Sequence, residues 1–316
     1  MSAFYSNLLL GHLDEADLGD SIDQSLRFTQ ESTETMLTKS YTGIVSPTNS
    51  SCFSFWMKKS SVVADERAVI SKDDDTSLLL IHDNKLSTNH DSTENEFSAR
   101  LYRDITAWYH VFLKIDNNEA SLYINGEFEG TATIEPVISG GSETTLKIGY
   151  GLNDQSHFNG YLSEFHFIDE SHGGDNLTVS DFGRYNSSGV WVPKKLPTNP
   201  QIDYGQCGFY LKFDSSDSNG VGTDSAPQTG QHTSLNHFTA TGFVDDDIDA
   251  EADPKVLEND VDYFDTPTNN FATANSTKGS YYPGYRVYKD GNLTPTSTTI
   301  YSSQVGGTVY LPSEGQ

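Results

Sequence analysis

Apolar and polar residues alternate along much of this chain. The clearest stretch runs from Trp108 to Asp169, where apolar side chains recur at every second position. Successive side chains of a strand point to opposite faces of a sheet, so this period predicts half-buried antiparallel strands. Asn125-Gly126 lies between two such runs and predicts a two-residue hairpin turn. The apolar positions are Val111, Leu113, Ile115, Leu122, Ile124, Tyr161, Phe165 and Phe167.

Shorter runs before and after this stretch predict further strands. Turn residues separate the runs at short spacing, which is typical of a β-sandwich. The one helical candidate is the short segment Val179–Gly183, which Ser180 could cap. We therefore predict an all-β, antiparallel, two-sheet jelly-roll sandwich with an irregular acidic C-terminal extension. Its predicted core contains Phe53, Phe55, Trp56, Val111, Leu113, Leu122, Ile124, Phe165, Phe167, Phe209 and Leu211.

Composition divides the chain into four zones. Residues 1–20 form an acidic leader, which we interpret as an assembly arm, and residues 21–214 form the sandwich. Residues 215–276 are almost free of large apolar side chains at first and then strongly acidic, which indicates a linker or extension. Residues 277–316 form a small β tail, with a hairpin predicted at Asp290-Gly291 between strands at 285–288 and 298–301.

Charge and cysteine content narrow the function classes. The formal net charge of −26 repels phosphates, so we expect no nucleic-acid partner. The first ten residues lack a basic residue and hold only the apolar run Leu8–Leu10, so we predict neither a signal peptide nor membrane insertion. Cys52 and Cys207 are predicted to be buried free thiols, because two cysteines cannot form a disulfide framework in 316 residues.

A series of segments, taken in order, resembles a known family. The segments are SIDQSLRF from Ser21, CFSFWMKKS from Cys52, the two runs within Ala107–Glu127, and FNGYLSEFHFID from Phe158. The series resembles the concanavalin A-like, laminin-G/pentraxin type of lectin sandwich. With the stretches at 189–194, 208–213 and 265–273 it more narrowly resembles virion proteins of tailed, particularly marine, bacteriophages.

The resemblance implies three function classes. The first is a non-enzymatic virion subunit of a tail fibre, the tail or the head surface, assembled in the host cytoplasm. Its partners would be other copies of itself and other virion proteins. The second is an adhesin for a host surface glycan, and the third is a polysaccharide-degrading enzyme. The sequence does not separate the first two, because one exterior sandwich can do both.

Candidate ligand-binding residues follow from aromatic rings placed near oxygen-bearing side chains. We predict glycan binding by Tyr150, Asn153, Asp154 and Trp191. The resemblance also implies Ca²⁺ at a rim of the sandwich, for which Asp154, Asp245 and Asp247 are the predicted ligands. Solvated acidic loops explain the same residues and are the favoured interpretation.

No catalytic residues are predicted. Glycosidases need two carboxylates roughly 5 to 10 Å apart across the sugar. The nearest pattern, Glu258 to Asp262, lies in the acidic extension and lacks a second glutamate. His110 and His166 alternate with apolar residues and are predicted to be ordinary surface or edge residues. We therefore expect that the protein is not an enzyme.

Overall fold

The computed structural model describes residues 20, 22, 24–29, 35–62, 66–73, 76–90, 93–105, 107–151, 156–187, 189–214, 217, 219–244 and 247. It also describes the backbone of residues 248–250, 287–289 and 294–296. Within these ranges, no helix is long and apolar enough to cross a membrane.

The first of two large antiparallel sheets, here called the front sheet, has eight strands in the order β10-β9-β8-β3-β12-β1-β17, with β15 also paired to β12. β12 thus has β3 on one side and two partners, β1 and β15, on the other. The strands are β1 Gln24–Phe28, β3 Ser50–Lys59, β8 Tyr109–Asp116, β9 Glu119–Ile124, β10 Glu127–Thr133, β12 Gly160–Ile168, β15 Phe209–Leu211 and β17 Ile248–Ala250.

The second sheet, here called the back sheet, has seven strands in the order β16-β2-β11-β4-β5-β6-β7. Every pair in it is antiparallel. Two small hairpins, β13-β14 and β18-β19, lie outside the two sheets. The bounds are β2 Met36–Tyr41, β4 Arg67–Lys72, β5 Thr76–His82, β6 Lys85–His90, β7 Thr93–Glu96, β11 Thr144–Ile148, β13 Gly183–Tyr185, β14 Trp191–Pro193, β16 Thr239–Thr241, β18 Val287–Lys289 and β19 Thr294–Thr296.

Two-residue turns connect three of the hairpins. Asp83-Asn84 joins β5 to β6, Asn117-Asn118 joins β8 to β9, and Asn125-Gly126 joins β9 to β10. All six residues have positive φ, between 47° and 82°. Such turns match the twist of the flanking strands, and Asn, Asp and Gly adopt this backbone conformation most readily. The turn predicted at Asn125-Gly126 is confirmed.

The two sheets enclose an aromatic core. Phe53 stacks on Phe167 with ring centroids 4.5 Å apart, and Phe55 stacks on Phe165 at 4.6 Å. Ten of the predicted core residues are essentially inaccessible, and Trp56 is also buried. The predicted two-sheet antiparallel sandwich is therefore confirmed. Trp56 packs on the opposite face from Phe53 and Phe55, in a separate cluster with Ile22, Trp108 and Tyr161.

A bulge in β12 shifts its alternation. Pairing with β3 slips between Ser163 and His166, and Glu164 at this point has φ +47°. Leu162 and Phe165 therefore both face the core, although they are three residues apart. Tyr161, which the sequence placed on the same face as Phe165, instead packs on the other side of the sheet. A bulge inserts one extra residue, and this insertion explains the difference.

Residues 170–206, here called the covering segment, pack over the outer face of the front sheet. The segment contributes Leu177, Phe182 and Tyr204 to a second hydrophobic cluster, which includes Phe112 and Ile168 of the sheet. The prediction that His110 and His166 are surface residues is therefore wrong. Both do point away from the core, but the covering segment buries them to 0% and 6% exposure.

The short helix α1, Val179–Phe182, lies within the covering segment. Its N-cap is Thr178, whose backbone N–H donates to the Asp181 carboxylate at 2.8 Å. Ser180, the residue predicted to cap, is instead the second residue of the helix. A cap at Ser180 would start the helix at Asp181, and the helix instead begins two residues earlier, at Val179.

The segment predicted as a linker supplies edge strands. β16 pairs with β2, and β17 pairs with β1. Val221 and Phe238 also join the main core, so part of residues 215–276 belongs to the sandwich. Farther along, β18 pairs with β19 at 294–296, closer to Asp290-Gly291 than the predicted 298–301.

Candidate functional site

A pocket of about 500 Å³ opens between the outer face of the front sheet and the covering segment. It lies at the edge of β12, at the point where the pairing partner of this strand changes from β1 to β15. Its volume is within the ~300–1,000 Å³ common for small-molecule sites. It is lined by Gln24, Glu164, His166, Tyr210, Lys212 and Asp214 from the sheet side, by Lys195, Leu196, Pro197, Thr198, Gln201, Ile202 and Tyr204 from the covering segment, and by Ser225 and Pro227 from a later loop.

Glu164 is the acidic centre of the pocket. The bulge in β12 aims its side chain into the pocket, where the Tyr210 hydroxyl donates to Glu164 Oε2 at 2.6 Å. Burial alone raises the pKa of Glu164, but His166, the Tyr210 hydrogen bond and the charge of Lys195 together lower it below its ordinary value. Glu164 is therefore a carboxylate at neutral pH, able to accept hydrogen bonds.

His166 and two tyrosines form the aromatic floor. The His166 ring stacks on Tyr210 with centroids 4.1 Å apart and planes 11° from parallel. Its Nδ1 is 2.8 Å from the Tyr204 hydroxyl, and its Nε2 is 3.8 Å from Glu164 Oε2. These contacts hold the rings and the carboxylate in one fixed arrangement, which reduces the ordering cost of binding.

Polar groups stand at the rim and wall of the pocket. The Lys212 ammonium lies 5.5 Å from the centre of the Tyr210 ring, in a cation–π contact. Gln24 Oε1 is buried and has no hydrogen-bond partner among the described residues. A buried amide oxygen without a donor costs free energy, so this atom suits a hydroxyl donated by a bound molecule.

Tyr150, the first of the predicted glycan-binding residues, lies away from this pocket. Its ring stacks on His157 at 4.3 Å, and Lys147 lies 5.3 Å from the ring centre. Its carbonyl accepts from the Ser71 hydroxyl at 2.6 Å. These contacts join the end of β11 to β4, which gives Tyr150 a structural role at the edge of the back sheet.

Trp191, the second predicted aromatic, packs on the front sheet. Its ring stacks on His110 with centroids 5.9 Å apart, and its Nε1 donates to His110 Nδ1 at 3.1 Å. The ring also lies directly against Gly126 and Gly183, where a Cβ would clash with it. Trp191 and Tyr150 share no contact among those described, so the structure does not bring the two predicted aromatics together.

The predicted Ca²⁺ site is represented by one residue. The other two predicted ligands, Asp154 and Asp245, lie outside the described residues, as does Asn153, which was predicted to bind glycan. Asp247 is buried, and its carboxylate accepts from the Val244 N–H at 2.9 Å within a local turn. One engaged carboxylate does not form the six-to-eight-oxygen shell that Ca²⁺ takes. The calcium site therefore stays a prediction.

Two clusters in the described part of the chain carry metal-ligating atoms within 4.8 Å of one another. In the first, the buried Asp169 carboxylate accepts from the Cys207 N–H at 3.0 Å and contacts His172 Nδ1 at 2.9 Å. In the second, the ion pair between His82 and Glu94 at 2.7 Å lies beside Glu66. Hydrogen bonds to Asp169 account for the first cluster, and the contact between His82 and Glu94 accounts for two of the three members of the second.

The cysteines are buried free thiols, as predicted. Burial raises the pKa of both thiols, and the nearby carboxylates Glu170 at Cys52 and Asp169 at Cys207 raise it further. A thiol with a raised pKa is a poor nucleophile and a poor metal ligand. Both cysteines therefore act as packing residues.

The sequence did contain a signal for the pocket. Within GYLSEFHFI the apolar spacing changes from two to three between Leu162 and Phe165, which indicates a bulge. A charged residue at such a point, here Glu164, is a candidate functional residue. The partners Tyr204 and Tyr210 come from distant segments, and no local pattern connects them to Glu164.

Comparison with known families identifies the domain. Residues 31–176 match a family model described as the concanavalin A-like lectin/glucanases superfamily. Together with the two-sheet antiparallel fold, this match shows a concanavalin A-like, laminin G-type domain in the chain. No curated protein sequence matches the chain significantly.

Solved structures with similar folds include three proteins from different organisms. A heptameric SAP-like pentraxin from Limulus polyphemus is 16% identical, with a TM-score of 0.36 over 50% of this chain and 78% of the pentraxin. A Bacteroides ovatus protein provisionally described as carbohydrate-binding is 14% identical, with a TM-score of 0.44 over 70% of this chain and 58% of that protein. Domain 4 of a Geobacillus stearothermophilus arabinanase, in complex with arabinotriose, is 17% identical, with a TM-score of 0.35 over 45% of this chain and 68% of that domain. None of these three likenesses bears on the function proposed below.

Proposed function

We propose that the concanavalin A-like domain of this chain binds carbohydrate, and that the pocket around Glu164 is its binding site. The observation that carries the proposal is the Glu164 carboxylate, held in the αL backbone conformation at a bulge and aimed into the pocket. A non-glycine residue in this conformation is strained by about 1–3 kcal/mol, and such strain concentrates at functional sites.

The chemistry of the pocket suits a sugar. Sugar hydroxyls donate hydrogen bonds, and an ionised carboxylate is a strong acceptor for them. The Tyr210 hydroxyl donates to Glu164 Oε2 rather than to Oε1, and Gln24 Oε1 offers a further acceptor. The Tyr210 ring, with Leu196 and Ile202, supplies apolar surface for the C–H face of a pyranose.

We further propose binding without hydrolysis. A glycosidase needs one carboxyl group whose pKa is raised, so that it protonates the glycosidic oxygen at neutral pH. The pKa of Glu164 is lowered, which is the opposite requirement. Asp214 is the other carboxylate in the lining. Because hydrolysis would need a second carboxyl group, release of new reducing ends is measured together with binding.

The experiment is a glycan array of neutral and acidic oligosaccharides probed with the purified chain. We expect at least one sugar class to be retained, and Glu164→Gln to weaken retention at least tenfold, because a neutral amide replaces the charged acceptor. Tyr210→Phe removes only the hydroxyl and should weaken it less. Glu119→Gln, at an exposed residue that begins β9, is the matched control.

Two results would overturn this proposal. One is unchanged retention by Glu164→Gln, provided that its circular dichroism matches the wild type. The other is release of new reducing ends from the retained glycan, which would replace binding with hydrolysis.

A narrower function, predicted from the sequence, is that of a bacteriophage virion subunit that displays this domain. The family match concerns the domain alone, so residence in a virion stays a prediction. Mass spectrometry of purified particles from the source tests it. Absence of the chain from those particles would exclude the virion role and leave the carbohydrate-binding proposal intact.

A further inference from the structure

A second aromatic surface lies on the same outer face of the front sheet, at its other end. We call it the aromatic ledge and define it as Tyr123, Phe128, Tyr185, Val190 and Trp191. Phe128 is 58% exposed, Tyr185 50% and Val190 55%, which are unusually high values for large apolar side chains. Tyr123 and Trp191 are partly buried and support the exposed members from below.

Ring contacts and one hydrogen bond hold the aromatic side chains of the ledge in place. Tyr185 meets Trp191 edge to face at 5.0 Å, and its hydroxyl donates to the Asn125 carbonyl at 3.1 Å. Phe128 meets Tyr123 edge to face at 5.4 Å across the β9-β10 hairpin. Because the rings are already fixed, a ligand that stacks on them pays little entropy to order them.

The size of the ledge favours a small or chain-like ligand over a protein partner. Two half-exposed aromatic side chains present roughly 200 Å² of accessible surface. A stable protein interface buries ~800 Å² per partner, which is several times more. The exposed ring faces instead match the apolar face of a sugar ring.

The charge of the chain favours a neutral ligand. The formal net charge of −26 repels polyanions. The ledge residues carry no charge of their own, so nothing in the ledge offsets that repulsion.

We propose that the aromatic ledge is a second carbohydrate-binding surface, which stacks the rings of a neutral polysaccharide chain. It is separate from the pocket. Three strand spacings, from β9 through β8 and β3 to β12, divide the two, which is ~14 Å at about 4.8 Å per strand. A polymer reaches the ledge whether or not the pocket is filled, so the ledge does not require the ligand proposed for Glu164.

Native affinity electrophoresis tests the ledge. The gels contain laminarin or hydroxyethylcellulose, two neutral glucans, and the full chain is the protein. We expect at least one glucan to retard the wild type, and the double variant Phe128→Ala/Tyr185→Ala to weaken retardation at least fivefold. Tyr185→Phe keeps the ring and should stay within twofold of the wild type. Val45→Ala removes an 88% exposed apolar side chain that is not part of the ledge and serves as the control.

Three outcomes would overturn the ledge proposal. They are equal retardation of the double variant and the wild type, no retardation of the wild type by either glucan, and self-association in sedimentation that the double variant abolishes. The last would make the ledge an interface between copies. Glu164→Gln should leave retardation by the polymer largely unchanged, and this variant separates a failure of the ledge from a failure of the pocket.

Discussion

Trp191 and His110 are joined by a hydrogen bond that fixes the state of the histidine. The indole Nε1 can only donate, so His110 Nδ1, at 3.1 Å, accepts. The proton of the neutral ring is therefore on Nε2, which lies 2.9 Å from the Ser54 hydroxyl. The pKa of His110 is lowered to about 3, mainly because the ring is buried and to a smaller extent because His166 is nearby. A histidine in the outer layer of the sandwich is thus locked as a neutral packing residue.

Because His110 is held neutral in the folded chain, we predict that the protein loses stability in acid. Its pKa is about 3 in the folded chain and 6.5 without the fold, so the unfolded chain binds the proton first as the pH falls. The free energy of unfolding should drop by about 2 kcal/mol between pH 6.5 and 4.5 from this group alone. Urea unfolding of the wild type and His110→Gln measures it. The variant should show a weaker pH dependence in this range, and an equal slope in His110→Gln would contradict the prediction.

His232 should have the opposite effect on how the free energy of unfolding depends on pH. It is buried 3.3 Å from the Asp224 carboxylate, and although burial lowers its pKa, the Asp224 contact and the Gly205 carbonyl raise it above the ordinary value. Its stabilising effect is therefore complete in acid and is lost as the pH rises through the raised pKa. In urea unfolding, the stability difference between the wild type and His232→Gln should shrink from pH 6 to pH 9. A difference that grows over this range would show that the ion pair does not form.

Phe165 should be among the costliest core residues to truncate. Its ring stacks on Phe55 at 4.6 Å and lies parallel to Phe209 at 6.1 Å, with no exposed surface. Phe165→Ala should lower the free energy of unfolding by ~3–5 kcal/mol, because it leaves a cavity in a close-packed core. Phe128→Ala, at an exposed position, should cost less than about 1 kcal/mol in the same chemical denaturation. Similar costs for the two variants would contradict the proposed core.

Gly126 should be intolerant of a side chain for two separable reasons. Its φ is +82°, which strains any other residue, and a Cβ there would overlap the Trp191 ring. Gly43 has a similar φ of +76° but open space around it, so Gly43→Ala measures the backbone cost alone. We expect Gly126→Ala to be less stable than Gly43→Ala by ~1–3 kcal/mol, the usual cost of overpacking. Trp191 fluorescence should shift only in the first variant, and equal costs would show that the ring moves freely.

Glycan binding in the pocket should persist into moderate acid. Because the pKa of Glu164 is lowered below 4.5, its carboxylate stays ionised at pH 5 and is protonated only as the pH falls through the lowered value. Retention on the glycan selected by the array should therefore be similar at pH 7 and 5. A fall between these two pH values, with the fold intact by circular dichroism, would mean that another group controls binding.

The local sequence pattern predicts most of the fold but little of the candidate site. Alternation and the Asn125-Gly126 turn predicted the sandwich and its core, because strand burial is a property of consecutive residues. The covering segment has little periodicity, so the burial of His110 and His166 beneath it could not be seen. The pocket needed Tyr204 beside His166 and Tyr210 beside Glu164, and only the folded topology brings residues 38 and 46 positions apart into contact.

The shared edge of β12 has a consequence for how such proteins can diverge. The strand pairs with β1 over its first half and with β15 over its second, and the pocket occupies the gap between them. Residues that line this gap contribute nothing to the aromatic interior between the two sheets. Exposed lining residues such as Lys195, Gln201 and Lys212 are in neither hydrophobic cluster. Substitutions at these positions can alter what the domain recognises with little loss of folding stability, so selection can act on the two properties almost independently.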